Sequence, residues 1–369
     1  MKTCGIVVEY NPFHNGHKLH IDKTKDITKC DVLIAVMSGN YVQRGEPAIL
    51  DKWTRAKTAI ENGVDLVIEL PYAFSTQSAS KFAYGAIKSL DIAKVNCICF
   101  GSETNNIEEL IEIAETSISV DNLKENMSKG DSFPKAYGLL SKTMGPNDIL
   151  GVAYLKEILK TNIKPYTIQR TNSYHDLTIQ EISSASAIRK AVLSNEEIYD
   201  TTIMKDQLLN SELVVLDSFY PYLRTLLLTL DKNYLSNIFL FSEGIENHLA
   251  KQALKYDNLK DFLDACTTRR YTTSRIKRCL VQLLNQVSKS EINNLEELNY
   301  IRVLAMNNKG RNYLKTLKDV NVASRFSLIP KCYRDLEYKA CLSYSTFLNE
   351  KNRQSVLLKE IGGPIYINN

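Results

Sequence analysis

Short apolar runs punctuate the first part of the chain, at 3–8, 32–37, 66–70, 96–100 and 166–170. Each is bounded by turn or polar residues, the pattern of strands buried on both faces of a sheet. Stretches with helical spacing lie between them, at 17–28, 51–62, 78–92, 107–117 and 148–160. This alternation predicts an α/β fold with a doubly wound parallel sheet over residues 1–195. From about 195 the strand signal stops. Leu, Tyr and charged residues recur at helical spacing over 234–240, 248–256, 259–265, 274–287 and 295–305. That texture predicts a second, mainly helical domain over 196–369.

Composition adds three exclusions. With 44% hydrophobic and 24% charged residues, the chain has an ordinary globular balance. No run of 18 apolar residues exists, so no membrane-spanning helix is expected. The N-terminus lacks a basic region with a long apolar core, so no signal peptide is read. The 8 cysteines form no CxxC pair, which points to free thiols in a reducing cytoplasm and not to disulfides or zinc. Charge changes the picture more. Residues 251–369 hold 21 Lys+Arg against 11 Asp+Glu, whereas the net charge of the whole chain is +4. The C-terminal part is therefore suited to a polyanion.

The chemistry begins where the first strand ends. Gly5-Ile6-Val7-Val8 runs into Glu9-Tyr10-Asn11-Pro12-Phe13-His14-Asn15-Gly16-His17, and then into the helical pattern Lys18-Leu19-His20. A strand feeding a turn that opens a helix presents free N–H groups and the positive dipole end to an anion. His14 and His17, three apart, fall on one side of the first turn and can donate to a phosphate as charge builds on it. The alternative is that one histidine caps the helix and the other is solvated. Ligands of such sheets sit at the carboxyl ends of the strands, which singles out Gly101 after the fourth strand and Arg170 at the end of the last. Arg170 is placed to face a phosphate or an adenine. In the second loop Arg44, Lys52 and Arg55 are candidates to reach phosphates, and Trp53 to pack or stack. Asn147 is a candidate N-cap. His175-Asp176 lies in a polar loop. Ser183-Ser184-Ala185-Ser186-Ala187-Ile188-Arg189 opens a helix with hydroxyls and a guanidinium, and Ser186 and Arg189 are the candidate triphosphate clamp.

In the basic half the densest segment includes Arg269, Arg270, Arg275, Lys277 and Arg278, where a turn runs into an amphipathic helix. A second basic loop carries Lys309 and Arg311. Tyr271 and Tyr313 interleave with these cations, a pattern suited to stacking on exposed bases beside backbone phosphates.

The His14-Asn15-Gly16-His17 turn resembles the HxGH signature of the nucleotidyltransferase superfamily. Glu9-Tyr10-Asn11-Pro12 replaces the usual Thr/Ser-Phe-Asp-Pro lead-in, which argues against the commonest cofactor-making adenylyltransferases. The Ser184–Arg189 stretch resembles the second, ISSTxIR-type signature. Most of the chain resembles one family, the tRNA-Met cytidine acetate ligases. Besides the first motif, the likeness is carried by Val36-Met37-Ser38-Gly39, Gln43-Arg44-Gly45-Glu46-Pro47-Ala48, Gly63-Val64-Asp65-Leu66-Val67-Ile68-Glu69-Leu70-Pro71 and Phe100-Gly101-Ser102-Glu103. Asn147 to Gly151 and Arg270-Tyr271-Thr272 echo it more weakly. The resemblance implies an enzyme that uses acetate and ATP to acetylate the exocyclic amine of the wobble cytidine in elongator methionine tRNA. By motif, its ATP site would comprise Val7, Val8, Glu9, Tyr10, Asn11, Pro12, Phe13, His14, Asn15, Gly16, His17, Lys18, Leu19, His20, Gly101, Asn147 and Arg170, with Asp148 beside Asn147. Magnesium would screen the phosphates, and no metal ligand set is read. A cofactor adenylyltransferase and a non-catalytic RNA-binding protein are the competing readings.

Overall fold

A computed structural model describes residues 1–116, 144–170 and 183–368; the His175-Asp176 pair lies outside them. The five expected strands form, as β1 Thr3–Val8, β2 Val32–Ser38, β5 Leu66–Leu70, β6 Cys97–Ser102 and β7 Lys164–Gln169. A small antiparallel hairpin, β3 Tyr41–Val42 and β4 Glu46–Pro47, stands apart. Three later strands, β8 Tyr300–Met306, β9 Asn321–Ala323 and β10 Ile365–Tyr366, join the five, and the main sheet runs β10-β8-β5-β2-β1-β6-β7, with β9 on β8. Pairing is parallel from β5 to β7. Alternate residues along each strand enter opposite cores: Ile34 and Val36 on one face of β2, Leu33, Ala35 and Met37 on the other. This is why both faces read as apolar.

The helices of this half follow the sequence pattern: α1 Asn15–Thr28, α2 Lys52–Glu61, α3 Tyr72–Ser75, α4 Ala79–Ile92, α5 Ile107–Glu115, α6 Pro146–Ile158 and α7 Ala185–Leu193. Caps set several starts. Asp51 accepts from the N–H groups of Trp53 and Thr54 at 3.0 Å each, and Ser184 from that of Ala187 at 3.1 Å.

The C-terminal part departs from the expectation. Helix α8 (Lys205–Asn210) still packs on the core of the first half through Leu208, whereas α9 to α14 (Leu216–Thr229, Lys232–Asn237, Ile245–Ala253, Leu259–Cys266, Thr273–Leu284, Lys289–Asn293) share a second core. The helix expected over 295–305 is instead strand β8, Tyr300–Met306, lying antiparallel against β5. It is followed by α15 Asn308–Leu314, β9 Asn321–Ala323, α16 Lys331–Ser345, α17 Glu350–Ile361 and β10 Ile365–Tyr366. The chain thus returns to the first sheet and completes it. Among the described residues no helix is long and apolar enough to cross a membrane.

The return is welded by buried charge. Lys52 Nζ lies 2.6 Å from Glu69 and 2.8 Å from Glu360, and Arg302 Nη1 lies 2.8 Å from Glu69 and 2.6 Å from Glu360. Lys52 is therefore a core residue, 1% exposed, and not a phosphate ligand. Arg55, fully buried, donates to the carbonyls of Leu50, Glu9, Ser38 and Gly39, tying together the ends of β1 and β2. Trp53 packs, with Lys52 and Arg302 each 5.5 Å from its ring.

Candidate active site

The sheet order changes direction at β1, whose neighbours are β2 and β6. A cleft of about 370 Å³ opens at the carboxyl ends of these strands, the position at which doubly wound sheets bind ligands. The turn after β1 is held on all sides. Asn11 Oδ1 accepts from the Ile49 N–H at 2.8 Å, Thr202 Oγ1 donates to the Phe13 carbonyl, and the Asn15 N–H donates to Thr201 O at 3.1 Å.

The two histidines cap α1 and face the cleft at once. His14 Nδ1 accepts from the Gly16 N–H at 3.1 Å, and His17 Nδ1 accepts from the His14 N–H at 3.2 Å. An acceptor Nδ1 fixes the neutral tautomer with its proton on Nε2. The rings stack with centroids 3.7 Å apart. Burial, then the charges of Arg170 and Arg189, pushes His14 down to about 3. Burial and the neighbouring imidazoles hold His17 well below its ordinary value, and burial with Arg170 brings His20 to about 4. At neutral pH the cleft therefore offers neutral Nε2–H donors beside a helix start. His20 Nε2 is buried without a partner.

These depressed values make acid destabilising. The unfolded chain charges each histidine below about 6.5 while the native state keeps it neutral, so stability present above that pH is lost as pH falls. The thermal midpoint is expected to drop between pH 7 and pH 5.5, on the order of 1 kcal/mol per histidine. The joint variant His14→Asn, His17→Asn should flatten that pH dependence in thermal melts; a slope as steep as before would contradict the assignment.

Arg189 Nη1 donates to Asn11 O at 2.7 Å, and its Nη2 lies 3.4 Å from Ser186 Oγ and 3.5 Å from Glu46. On the opposite wall, Arg170 Nη1 donates to Asn147 Oδ1 at 3.2 Å, beside Gly101. Asn147 is not the N-cap of α6; Gly145 is. Glu103 serves that end instead, accepting from the Asn147 N–H at 3.2 Å and the Asp148 N–H at 2.8 Å. Asp148 is fully buried and accepts from the Glu103 and Thr104 N–H groups at 3.0 Å each. Asn147 thus lines the cleft, and Asp148 lies beneath it.

Of the expected ATP-site and catalytic residues, Val7 to Asn11, His14, Gly16, His17, Leu19, His20, Gly101, Asn147, Arg170, Ser186 and Arg189 line this cleft. Pro12, Phe13, Asn15 and Lys18 do not. Phe13 is core, Asn15 Nδ2 bonds Asp200 O at 2.7 Å, and Lys18 pairs with Asp22 along α1. Glu46 and Glu103 stand in quoted motif strings, yet nothing local signals their roles. Both act across the fold, where only a three-dimensional arrangement reveals a partner.

The basic segment divides. Helix α13 reaches the rim: Lys277 pairs with Glu46, and the backbone of Arg278 packs on Gly45, where a Cβ would stand 2.3 Å from its nitrogen. Glu46 therefore joins α13 to Arg189. Burial would raise its carboxyl, but Lys277 and Arg189 outweigh that and hold it below the ordinary value. Arg270 and Arg275 meet Glu243 at 3.4 and 3.0 Å, and Arg269 is exposed. Lys309 and Arg311 are exposed on helix α15, not on a loop. This helix abuts Asp65 at the amino end of β5, the opposite end of the strands from the cleft. Neither tyrosine is free to stack on bases: Tyr271 OH donates to Glu243 O at 2.9 Å and Tyr313 OH to Ala93 O at 2.6 Å. Among the described residues no group of three or more His, Cys, Asp or Glu is placed to hold a metal ion.

Comparison with known proteins matches these features. A family model described as HIGH Nucleotidyl Transferase spans residues 1–357. A tRNA(Met) cytidine acetate ligase of Oceanobacillus iheyensis is 36% identical over all of both chains. One of Caldanaerobacter subterraneus is 42% identical over 86% of each. Crystal structures of Thermotoga maritima TmcAL, apo and bound with alpha-thio ATP, are 32% identical over the whole of both chains, with TM-scores of 0.91 and 0.90.

Proposed function

Because this chain belongs to the HIGH nucleotidyl transferase family, alongside the tRNA(Met) cytidine acetate ligases, we propose that it joins acetate to the wobble cytidine of elongator methionine tRNA at the expense of ATP. The observation that carries the reading is the neutral, stacked pair His14 and His17 at the start of α1, facing Arg170 and Arg189 across one cleft. An acetate oxygen attacks the α-phosphorus of ATP, the bond to the bridging oxygen breaks, and pyrophosphate leaves. His14 and His17 donate their Nε2–H groups to oxygens that gain charge in the displacement. The N–H groups of the α1 start add to that field. Arg189 and Ser186 meet the departing phosphates, and Arg170 and Asn147 fix the nucleotide on the opposite wall. His20 Nε2 is an acceptor for a nucleotide hydroxyl. Bound with the triphosphate, magnesium would screen the phosphate charge. The cytidine amine then attacks the acetyl carbonyl of acetyl-adenylate, and AMP leaves.

The tRNA approaches over the basic part of residues 196–369, with α13 carrying it to the rim through Lys277, Arg278 and Arg275, and Arg269 and Arg270 holding backbone phosphate. Lys309 and Arg311, on α15 beside the amino end of β5, meet a separate part of the tRNA. The setting is the cytoplasm, where ATP and tRNA meet. Acetate-dependent ATP–pyrophosphate exchange in the absence of tRNA tests the first step: label should return to ATP only when acetate is present. Exchange driven equally by a small nucleotide phosphate would sink the proposal. Replacing Arg269 and Arg270 by alanine should flatten the dependence of log tRNA affinity on log salt by about 1.5 to 2, one unit or slightly less for each lost phosphate contact. An unchanged slope in filter binding would remove these arginines from the interface.

A further inference from the structure

Acetyl transfer to cytidine needs a group to take a proton. The exocyclic amine is conjugated with the ring and nucleophilic only weakly, so relieving it of a proton as it attacks is worth a large factor in rate. The cleft holds few groups able to accept that proton. His14 and His17 have their Nδ1 atoms tied to backbone N–H groups and carry protons on Nε2, which makes both of them donors. His20 lies a turn further along α1, beside the middle of β6 at Cys99, below the strand ends. Glu46 is taken up by Lys277 and Arg189, and Glu103 by the N–H groups that open α6. Tyr10 and Tyr154 are kept protonated by burial.

Glu9 remains. It follows β1 directly, at the carboxyl end of the strand, and lines the cleft. One carboxylate oxygen accepts from the Gln43 N–H at 2.8 Å. Its own carbonyl is clamped by Arg55 Nη1 at 2.5 Å, so the residue cannot swing away with its backbone. The hairpin that supplies Gln43 also supplies Glu46, the contact point of the basic helix. Glu9 therefore stands between the phosphate-facing histidines and the rim over which a basic helix leans.

We propose that Glu9 is a catalytic residue of the acetyl-transfer step, its second carboxylate oxygen accepting the proton from the cytidine exocyclic nitrogen. This rests on the ligase reading above. The nitrogen forms its bond to the acetyl carbon and the acyl–oxygen bond breaks. The electron pair leaves on the phosphate oxygen of AMP, and the amine proton passes to Glu9 and then to solvent. The surroundings suit the task. Burial pushes the Glu9 carboxyl above its ordinary value, while the Gln43 N–H and the charges of Arg44, Arg189 and Arg55, from the hairpin, α7 and α2, draw it part of the way back. Tyr154 of α6 faces it as a neutral phenol. Glu9 is thus a stronger base than a surface glutamate, and the flanking cations and the Gln43 N–H favour its carboxylate form.

The test is a single-turnover reaction between synthetic acetyl-adenylate, enzyme and methionine tRNA from pH 5 to 9, beside acetate-dependent ATP–pyrophosphate exchange by the same preparations. In the wild type the transfer rate should rise with pH through an inflection above the ordinary carboxylate range. Glu9→Gln keeps an acceptor for Gln43 yet cannot take a proton; its transfer should fall about 10²- to 10⁴-fold and lose the inflection, with exchange falling far less. Glu9→Asp should transfer at a reduced rate and keep the inflection, and it carries the test if the glutamine variant fails to fold. Transfer by Glu9→Gln within about threefold of wild type, a retained inflection, or exchange lost in parallel with transfer would each overturn the proposal. A wild type that neither exchanges nor transfers would instead overturn the ligase reading beneath it.

Discussion

Replacing His14 by asparagine is expected to lower acetate-dependent ATP–pyrophosphate exchange by about 10²- to 10³-fold, the usual cost of removing one well-placed donor from a transition state. The asparagine matters to the argument. His14 both caps α1 and faces the phosphates, and these duties use different nitrogens. Asparagine is among the best N-caps, so the helix keeps its start and stability changes little. Alanine would lose about 1 kcal/mol of capping as well. Activity lost by both variants, with stability lost only by alanine, separates catalysis from folding. His17→Asn should behave similarly in rate. The double variant should cost less than the product of the two single losses, because stacked donors to one phosphate act as a unit. Exchange rates and thermal melts on the three variants decide this; single variants retaining more than a tenth of wild-type exchange would remove the histidines from the chemistry.

The second large effect concerns stability. Lys52→Met is expected to destabilise the protein by about 3–5 kcal/mol, the cost of leaving a buried carboxylate uncompensated. Lys52 and Arg302 balance Glu69 and Glu360, and all four are nearly or wholly buried. A fifth member, Glu337, is pushed up to about 8 by burial and then by the Glu69 charge, and accepts from the Tyr72 N–H at 2.6 Å. Removing one cation strands its partners in a medium that cannot hydrate them. The network joins α2 and β5 to β8 and α17, so its loss should loosen the returning strand first. Urea unfolding reads the effect as a fall in the midpoint with little change in slope. Adding Glu69→Gln should recover part of it; a Lys52→Met protein as stable as wild type would show that the network is not what binds the two ends of the chain.

The same residues show where the sequence was readable. Parallel strands buried on both faces produce apolar runs that neighbouring helices do not imitate, so β1, β2, β5 and β6 stand out, while β7, a partly buried edge strand, shows a weaker run. Strand β8 does not stand out. Leu295, Leu298, Ile301 and Leu304 fall three apart, which mimics a helix, and Arg302 interrupts the run with a charge that belongs in the core only because Glu69 and Glu360 await it there. Lys52 and Arg55 look like surface cations for the same reason. Lys52 finds its carboxylates on the next strand and 308 residues away, and Arg55 is satisfied by backbone carbonyls. Around the cleft, local spacing was enough for the histidines, since strand, turn and helix follow one another in sequence. It was not enough for Glu103, which caps a helix more than forty residues later, or for Glu46, whose cation is supplied by α13. Tyr271 and Tyr313 alternate with cations as stacking residues do, yet their hydroxyls hold carbonyls inside the protein.

The most direct measurement is incorporation of radiolabelled acetate into purified elongator methionine tRNA with ATP and magnesium, followed by nuclease digestion to nucleosides. The account predicts label in a single acetylated cytidine at the wobble position, absent without ATP and nearly absent with the paired His14→Asn, His17→Asn variant. Label that stays out of tRNA while AMP is transferred to a small nucleotide would contradict it.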